Sequence, residues 1–272
     1  MDTRFWGPSG WQLLHSIAFK ATSLPKDKLY TFFHNLPFVL PCKFCRASLA
    51  DYYLVDPIPT NANDYAEWLY RIHNRVNMKL RDQKLLTAKD PSWVKIQQQY
   101  RDYMRMPCTK RKMVGWDFLF SVAYTTPGPS VSTSPMPGAP PIEMLTTPEL
   151  RNRWGKSPRT ERLRYIEEWW AVLPDVLPFK EWSDAWAQAV SKNPPVSRGR
   201  RAFTAWLYTT EKAMCTALED TTPHDSFHGL CTELNNFTSG CGANRSLKMK
   251  TCRAIKAKAR KTLKYRQGGG FR

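Results

Sequence analysis

Trp68-Leu69-Tyr70-Arg71-Ile72-His73-Asn74-Arg75-Val76-Asn77-Met78-Lys79-Leu80 is the stretch from which the fold can be read. Leu69, Ile72, His73 and Val76 fall at i, i+3, i+4 and i+7, the spacing of one face of an α-helix. The same spacing recurs upstream at Trp11, Leu14, His15 and Ala18, and downstream at Trp182, Ala185, Trp186 and Ala189. Strand-like alternation is scarce, so the sequence predicts an all-α protein. On the quoted helix Asn74 and Asn77 share a face near His73 and Trp68. Such a polar face with an aromatic partner suits a flat heterocycle and its ribose or phosphate. Taken alone, the same residues read more simply as a solvated helix with a satisfied core histidine.

Working outward, Trp68-Leu69-Tyr70 returns as Trp206-Leu207-Tyr208, an offset of 138 residues. Leu36-Pro37-Phe38-Val39-Leu40-Pro41 returns as Leu173-Pro174-Asp175-Val176-Leu177-Pro178 at 137, and the Trp11–Phe19 segment is echoed by Trp116–Tyr124 at 105. Three matches in one order mark an internal repeat. The smaller offset fits insertion of a Pro-rich segment, Pro127–Pro148, into the second copy; it holds seven prolines in 22 residues. That composition is expected to bury too little surface to order itself. The predicted organisation is a first helical domain over 1–110 and a second over 111–222 containing the Pro-rich loop at 127–148. A C-terminal extension follows over 223–272.

The 272 residues are 42% hydrophobic and 13% aromatic, which excludes a disordered or collagen-like chain. Seven cysteines are odd in number and too sparse for a secreted disulfide framework. The amino-terminal residues hold no apolar stretch typical of a signal peptide, and no run reaches the ~18 apolar residues of a membrane helix. A soluble protein of a reducing compartment, with no membrane contact, is expected. The formal charge is +18, of which eleven Lys and Arg lie between Arg245 and Arg272 without one acid. Such a tail can hold nucleic acid or anionic lipid by charge, with strong salt dependence. No aromatic residue is interleaved from Lys256 to Lys261 to stack on bases, so the tail reads as accessory.

Cys42-Lys43-Phe44-Cys45 follows directly on Pro41, which suits the first turn of a helix. Helix dipole and free N–H groups there favour thiolate over thiol. Two cysteines at i and i+3 can close a disulfide across one turn, so the pair can accept and pass on two electrons. Zinc sites use the same spacing but need two further ligands, and no second CxxC exists here. His224, His228, Cys231 and Cys241 are a separate candidate zinc set; the competing reading there is a capped helix beginning near Thr222-Pro223.

In order and spacing, Trp11-x-x-x-His15, then Pro41-Cys42-x-x-Cys45, then the Trp68–Leu80 string resemble the Erv/ALR sulfhydryl oxidase family over roughly the first third of the chain. The resemblance implies an Erv-type four-helix bundle that binds FAD non-covalently and oxidises thiols to disulfides with O2, releasing hydrogen peroxide. It implies that Cys42 and Cys45 form the redox-active disulfide. Cys42 would be the sulfur attacked by the substrate thiolate, and Cys45 would face the isoalloxazine and persist as the thiolate. Gly7, Trp11 and His15 match the first flavin-contacting segment; Trp68, His73, Asn74, Asn77, Lys79 and Leu80 match the second; Trp93 matches a downstream tryptophan. The chain departs from many relatives in lacking a second cysteine pair sixteen residues apart, since Cys108 stands alone in that region. Candidate shuttle cysteines are Cys231, Cys241 and Cys252, beside Ser239-Gly240-Cys241-Gly242.

In the second copy Cys42 falls on Phe179, Cys45 on Trp182 and His15 on Phe120, while the His-Asn string becomes Glu211-Lys212-Ala213-Met214-Cys215. A degenerate copy with its flavin space filled by side chains is expected. Relatives pair as homodimers; here the two copies could pair within one chain. The chain is most similar to the viral forms, which implies virion proteins or a thioredoxin-like carrier as thiol substrates, in host cytoplasm or virion. The competing reading is a zinc-binding helical adaptor with a nucleic-acid-binding basic tail.

Overall fold

Every regular element among the described residues is a helix, as the periodicity predicts. The computed structural model describes residues 1–107, 112–126, 135–196 and 199–238. Cys108, residues 127–134 of the Pro-rich segment, Cys241, Cys252 and the basic tail at 245–272 lie outside the described residues. The first half holds α1 (Thr3–Phe19), α2 (Lys26–Val39), α3 (Lys43–Val55), α4 (Tyr65–Asp82) and α5 (Trp93–Arg105). The second holds α6 (Trp116–Thr125), α7 (Pro148–Arg153), α8 (Arg159–Val176), α9 (Lys180–Lys192), α10 (Arg200–Ala217) and α11 (Phe227–Asn236). None of these helices is long and apolar enough to cross a membrane.

Side chains that satisfy free first-turn N–H groups set several helix starts. Asp2 accepts from Arg4 N, Ser92 from Lys95 N, Thr147 from Leu150 N and Ser226 from Gly229 N. Across the halves α2 lies along α8, and α1 crosses α6. Phe32, Phe33, Phe118, Phe120 and Trp169 are fully buried in one continuous core. The α1–α6 crossing is close because Gly10 rests on the Phe118 ring and Gly115 on Leu13, where any Cβ would come within 2.8 Å. Gly115 also takes φ +103°, a conformation open to glycine at little cost.

The repeated Trp-Leu-Tyr works as a clasp in both halves. Trp68 Nε1 donates to the carbonyl of Asp56, which ends α3, and Trp206 Nε1 to that of Asn193, which ends α9, at 3.0 and 2.8 Å. Those two end residues share nearly the same backbone, φ −138°, ψ 80° and φ −140°, ψ 80°. Tyr70 Oη donates to Pro91 O and Tyr208 Oη to Asp225 O, each just before the serine that caps the next helix.

Two expectations change. Residues 135–147 of the Pro-rich segment form a strap held to α7: Met136 N donates to Trp154 O, Arg151 to Leu145 O and Lys156 Nζ to Pro140 O. Leu145 is buried beneath it, so order comes from the neighbouring helix and not from the segment's own composition. The helix expected near Thr222 starts five residues later, because Ser226 is the residue whose side chain caps it. His224 therefore precedes α11 and shares no helix face with His228.

Candidate active site

α2 ends at Val39, and Leu40 and Pro41 lead into Cys42, the N-cap of α3. Pro41 lacks an N–H to extend α2, and the turn leaves the first N–H groups of α3 directed at the Cys42 sulfur. Cys42 and Cys45 are both half-buried. A side-chain hydrogen bond from Cys45, with the backbone N–H groups of Cys45 and Phe44, outweighs burial and lowers the Cys42 thiol to about 5. These donors favour the thiolate form of Cys42. The capping residue, one position before the helix, collects the free donors.

The pair opens into a cavity of about 1200 Å3, above the roughly 300–1,000 Å3 common for small-molecule sites. Gly7, Trp11 and His15 of α1 line it, with His73, Asn77, Lys79 and Leu80 of α4 and Tyr100 of α5. Trp11 stacks on His73 with ring centroids 3.8 Å apart and 10° between planes. His15 Nε2 and His73 Nδ1 lie 3.0 Å apart and share one proton. Burial, with His73 alongside, lowers His15 to about 3, and burial lowers His73 to about 4, so both rings are neutral near pH 7. Asn77 Nδ2 donates to Asp90, which Arg81 also holds, and Lys79 reaches Ser48 on α3. These contacts fix the open end of α4.

Three expected site residues lie elsewhere. Trp68 is wholly buried between Phe33, Tyr53 and Tyr65, so it belongs to the core behind the cavity wall. Asn74 does not line the cavity. Trp93 packs on Phe19 and Tyr70 at the start of α5 and supports the wall from outside. Conversely, sequence reasoning missed Tyr100, whose ring lies 5.3 Å from His15, along with Trp6, Arg46 and Arg162. Tyr100 falls two turns after Trp93, a spacing that could have flagged it. Arg162 lies on α8, and no local pattern announced it.

Four cavity-lining atoms are buried without a hydrogen-bond partner: Trp6 Nε1, His15 Nδ1, Arg46 Nε and Gln83 Oε1. Orphaned buried groups are costly, and several around one cavity suit an occupant with polar atoms along its rim. A Cβ on Gly7 would meet nothing within 4 Å. No group of three His, Cys, Asp or Glu among the described residues is arranged to hold a metal.

The corresponding place in the second half is closed. Phe179 caps α9 and meets the buried Trp182 edge-on at 4.8 Å. Phe120 meets His224 edge-on at 4.9 Å. The His224 imidazole pairs with buried Glu211 at 2.8 Å and faces Asp117 at 3.7 Å.

Residues 8–101 match the Erv1/Alr family. A probable FAD-linked sulfhydryl oxidase of Acanthamoeba polyphaga mimivirus is 36% identical over 85 residues, covering 28% of this chain and 59% of the relative. The mitochondrial FAD-linked sulfhydryl oxidase of Saccharomyces cerevisiae is 30% identical over 88 residues, covering 30% of this chain and 47% of the relative. The chain spans about half the length of these curated relatives. No solved structure is a significant match. The residues that match the Erv1/Alr family hold both cysteines, the Trp11–His73 stack and Tyr100, so the likeness falls on the cavity-bearing first third of the chain.

Proposed function

We propose that this chain is an FAD-linked sulfhydryl oxidase that forms disulfides in thiol-bearing proteins. One observation carries the reading: the Cys42/Cys45 pair at a helix start opens into the same cavity as the Trp11–His73 stack and the neutral His15–His73 pair. The names of both relatives support it. The cofactor's class fits the donor set, since an aromatic wall, orphaned N–H groups and the cationic Lys79 suit a flat heterocycle carrying carbonyls and phosphates. FAD held there would supply a two-electron acceptor for the cysteine pair, one that O2 can reoxidise with release of hydrogen peroxide.

The residues of the chain divide the remaining work. Gly7 leaves room at the cavity wall, Trp11 and His73 supply a planar surface, and Asn77 and Lys79 supply polar contacts. A substrate thiolate attacks Cys42, and Cys45 leaves as a thiol after taking a proton. The substrate's second thiol then attacks the substrate sulfur of the mixed disulfide and releases Cys42. A low-pKa sulfur leaves faster, so donors gathered at Cys42 speed this second exchange. Cys42 thiolate can then accept the Cys45 proton across the hydrogen bond they share, readying Cys45 as electron donor.

The second half reads as a copy of the first without the chemistry, making a pseudo-dimer within one chain; the paired clasps and the α1–α6 and α2–α8 contacts support this. The mimivirus source of one relative supports a viral setting; the proposal extends to virion proteins or a thioredoxin-like carrier as substrates, in host cytoplasm or virion. The deciding measurement is an absorbance spectrum of the purified protein followed by dithiothreitol in an oxygen electrode. A flavin band near ~450 nm with oxygen uptake is expected. A colourless protein that takes up no oxygen and carries stoichiometric zinc would establish the adaptor reading instead.

A further inference from the structure

We propose that the second half walls the substrate end of the cavity, where the close of α6 and the start of α10 hold an acidic polypeptide segment that brings its thiol to Cys42. Arg200 is the residue that selects the acidic charge. The inference deepens the thiol-oxidase reading above and rests on it.

The cavity crosses from one half of the chain to the other. Residues 124–126 at the end of α6, Arg162 of α8, and Gly199 with Arg200 at the start of α10 all line it. Packing order locates this wall. α1 and α6 run antiparallel, because Gly115, just ahead of α6, rests on Leu13, while Phe118 meets Gly10 and lies 5.8 Å from Trp6. The end of α6 therefore falls at the first turn of α1. In the other direction along α1, Trp11, His15 and Phe19 lead to His73, Tyr100 and Trp93. The aromatic stack and the second half's wall thus lie toward opposite ends of α1. The cysteines are near the wall: the Met1 nitrogen is within electrostatic reach of both sulfurs. On the same side Arg162 Nε donates to Phe38 O, four residues before Cys42.

Charge says what the wall receives. Asp2 is the one carboxylate among the described residues that line the cavity, and Arg4 holds it. Against it stand Arg4, Lys43, Arg46, Lys79, Arg162 and Arg200. Lys79 belongs to the far end on α4, and Arg46 and Arg162 are buried against carbonyls of the turn before Cys42. Arg200 is exposed and has no carboxylate partner among the described residues. Its guanidinium stands 4.6 Å from the centroid of the half-buried Tyr124 ring. A guanidinium laid on an aromatic face keeps its N–H edge open to a carboxylate. Asp or Glu beside a substrate cysteine meets opposite charge there, whereas Lys or Arg meets like charge. A small dithiol needs only the sulfurs; a wall beyond them offers surface to the residues that flank a cysteine in a chain. Docking adds no redox step, and the thiol exchange at Cys42 is the one given above.

The test uses the full flavin-loaded chain and two synthetic peptides of equal length, each with one Cys-x-x-Cys. Asp and Glu flank the cysteines in one peptide, and Lys in the other. Oxygen uptake gives kcat/KM for each. The acidic peptide is expected to exceed the basic one about tenfold at about 20 mM salt, and the gap should close near about 0.5 M. Arg200→Glu should shift the ratio about tenfold toward the basic peptide. A glutamate in the first turn of α10 suits the helix dipole, so the fold should tolerate it. If that variant fails to fold, Arg200→Gln decides, with a shift of about threefold expected. A purely structural Arg200 would lower both peptides alike and leave the ratio in place. A ratio unmoved in the folded variant overturns the inference. So does a ratio near one in the unsubstituted protein, or failure of both peptides where dithiothreitol is oxidised. Absence of flavin and of oxygen uptake with dithiothreitol in the unsubstituted protein sinks the oxidase reading instead.

Discussion

At the start of α3 the chain carries Cys42 and Cys45; at the start of α9, 137 residues on, it carries Phe179 and Trp182. Both helices have 13 residues, begin from an extended capping residue and end on a tryptophan clasp. One interior is a cavity lined by neutral histidines, and the other is filled by Phe120, Trp182 and the His224–Glu211 pair. The clasps and caps set the helix frame, which accepts either interior. Side-chain volume and polarity at a few positions decide whether it holds a ligand or stabilises the fold. Orphaned buried polar atoms occur in both halves, but in the open half Trp6 Nε1, His15 Nδ1, Arg46 Nε and Gln83 Oε1 gather around the cavity, whereas the closed half fills the matching space with apolar side chains.

The largest effects should come from exchanging chemistry for packing. Cys45→Ala should cut thiol-dependent oxygen uptake at least about a thousandfold while leaving the flavin absorbance in place. Surviving turnover in that variant would break the comparison at its root. Trp182→Ala, at the matching position, should instead cost about 3–5 kcal/mol in urea denaturation. A cost below about 1 kcal/mol would mean that the second half is not the packed partner described.

The two halves should also answer pH in opposite directions. His15 and His73 sit at about 3 and 4, below the 6.5 of an unfolded histidine, so the unfolded chain binds the extra protons. Their contribution is complete above about pH 6.5 and drains as pH falls toward 3. His224 is the reverse. Burial works against its charge, but hydrogen bonds to Asp117 and Glu211 raise it to about 9. Its contribution is complete below about pH 6.5 and is lost as pH climbs through 9. Urea midpoints from pH 4 to 9 should therefore fall at both ends, and His224→Gln should flatten the alkaline side alone. An alkaline slope unchanged in His224→Gln would show that the closed half titrates elsewhere.

The smallest effects should be nearly equal between halves. Ser92→Ala and Ser226→Ala remove matching helix caps, and each should cost about 0.5–2 kcal/mol in denaturant unfolding. A wide gap between them would mean that α5 and α11 do not play corresponding parts.

Much of this was legible in the sequence because helical spacing, caps and the Cys-x-x-Cys turn are local properties. Trp11, His15 and His73 announce themselves by residue type and spacing, and the structure brings them together. Trp68 was misplaced because a tryptophan on an amphipathic helix looks alike whether it faces a ligand or the core. Only its indole bond to Asp56 distinguishes the two. Arg162 was invisible because its carbonyl partner, Phe38, lies 124 residues away in the chain. The strap at 135–147 was misjudged because its order is borrowed from α7.

Phe237, just past α11, stacks on Phe5 at 4.7 Å and accepts a hydrogen bond from Asp2 N at 2.8 Å. That contact anchors the first turn of α1, two residues from Gly7 and less than two turns from Trp11. Shortening the chain to end before Phe227 would unfasten a clamp on the ligand-facing helix. A truncation some 180 residues from the cysteines in sequence would then register as faster cofactor loss, with both sulfurs still in place.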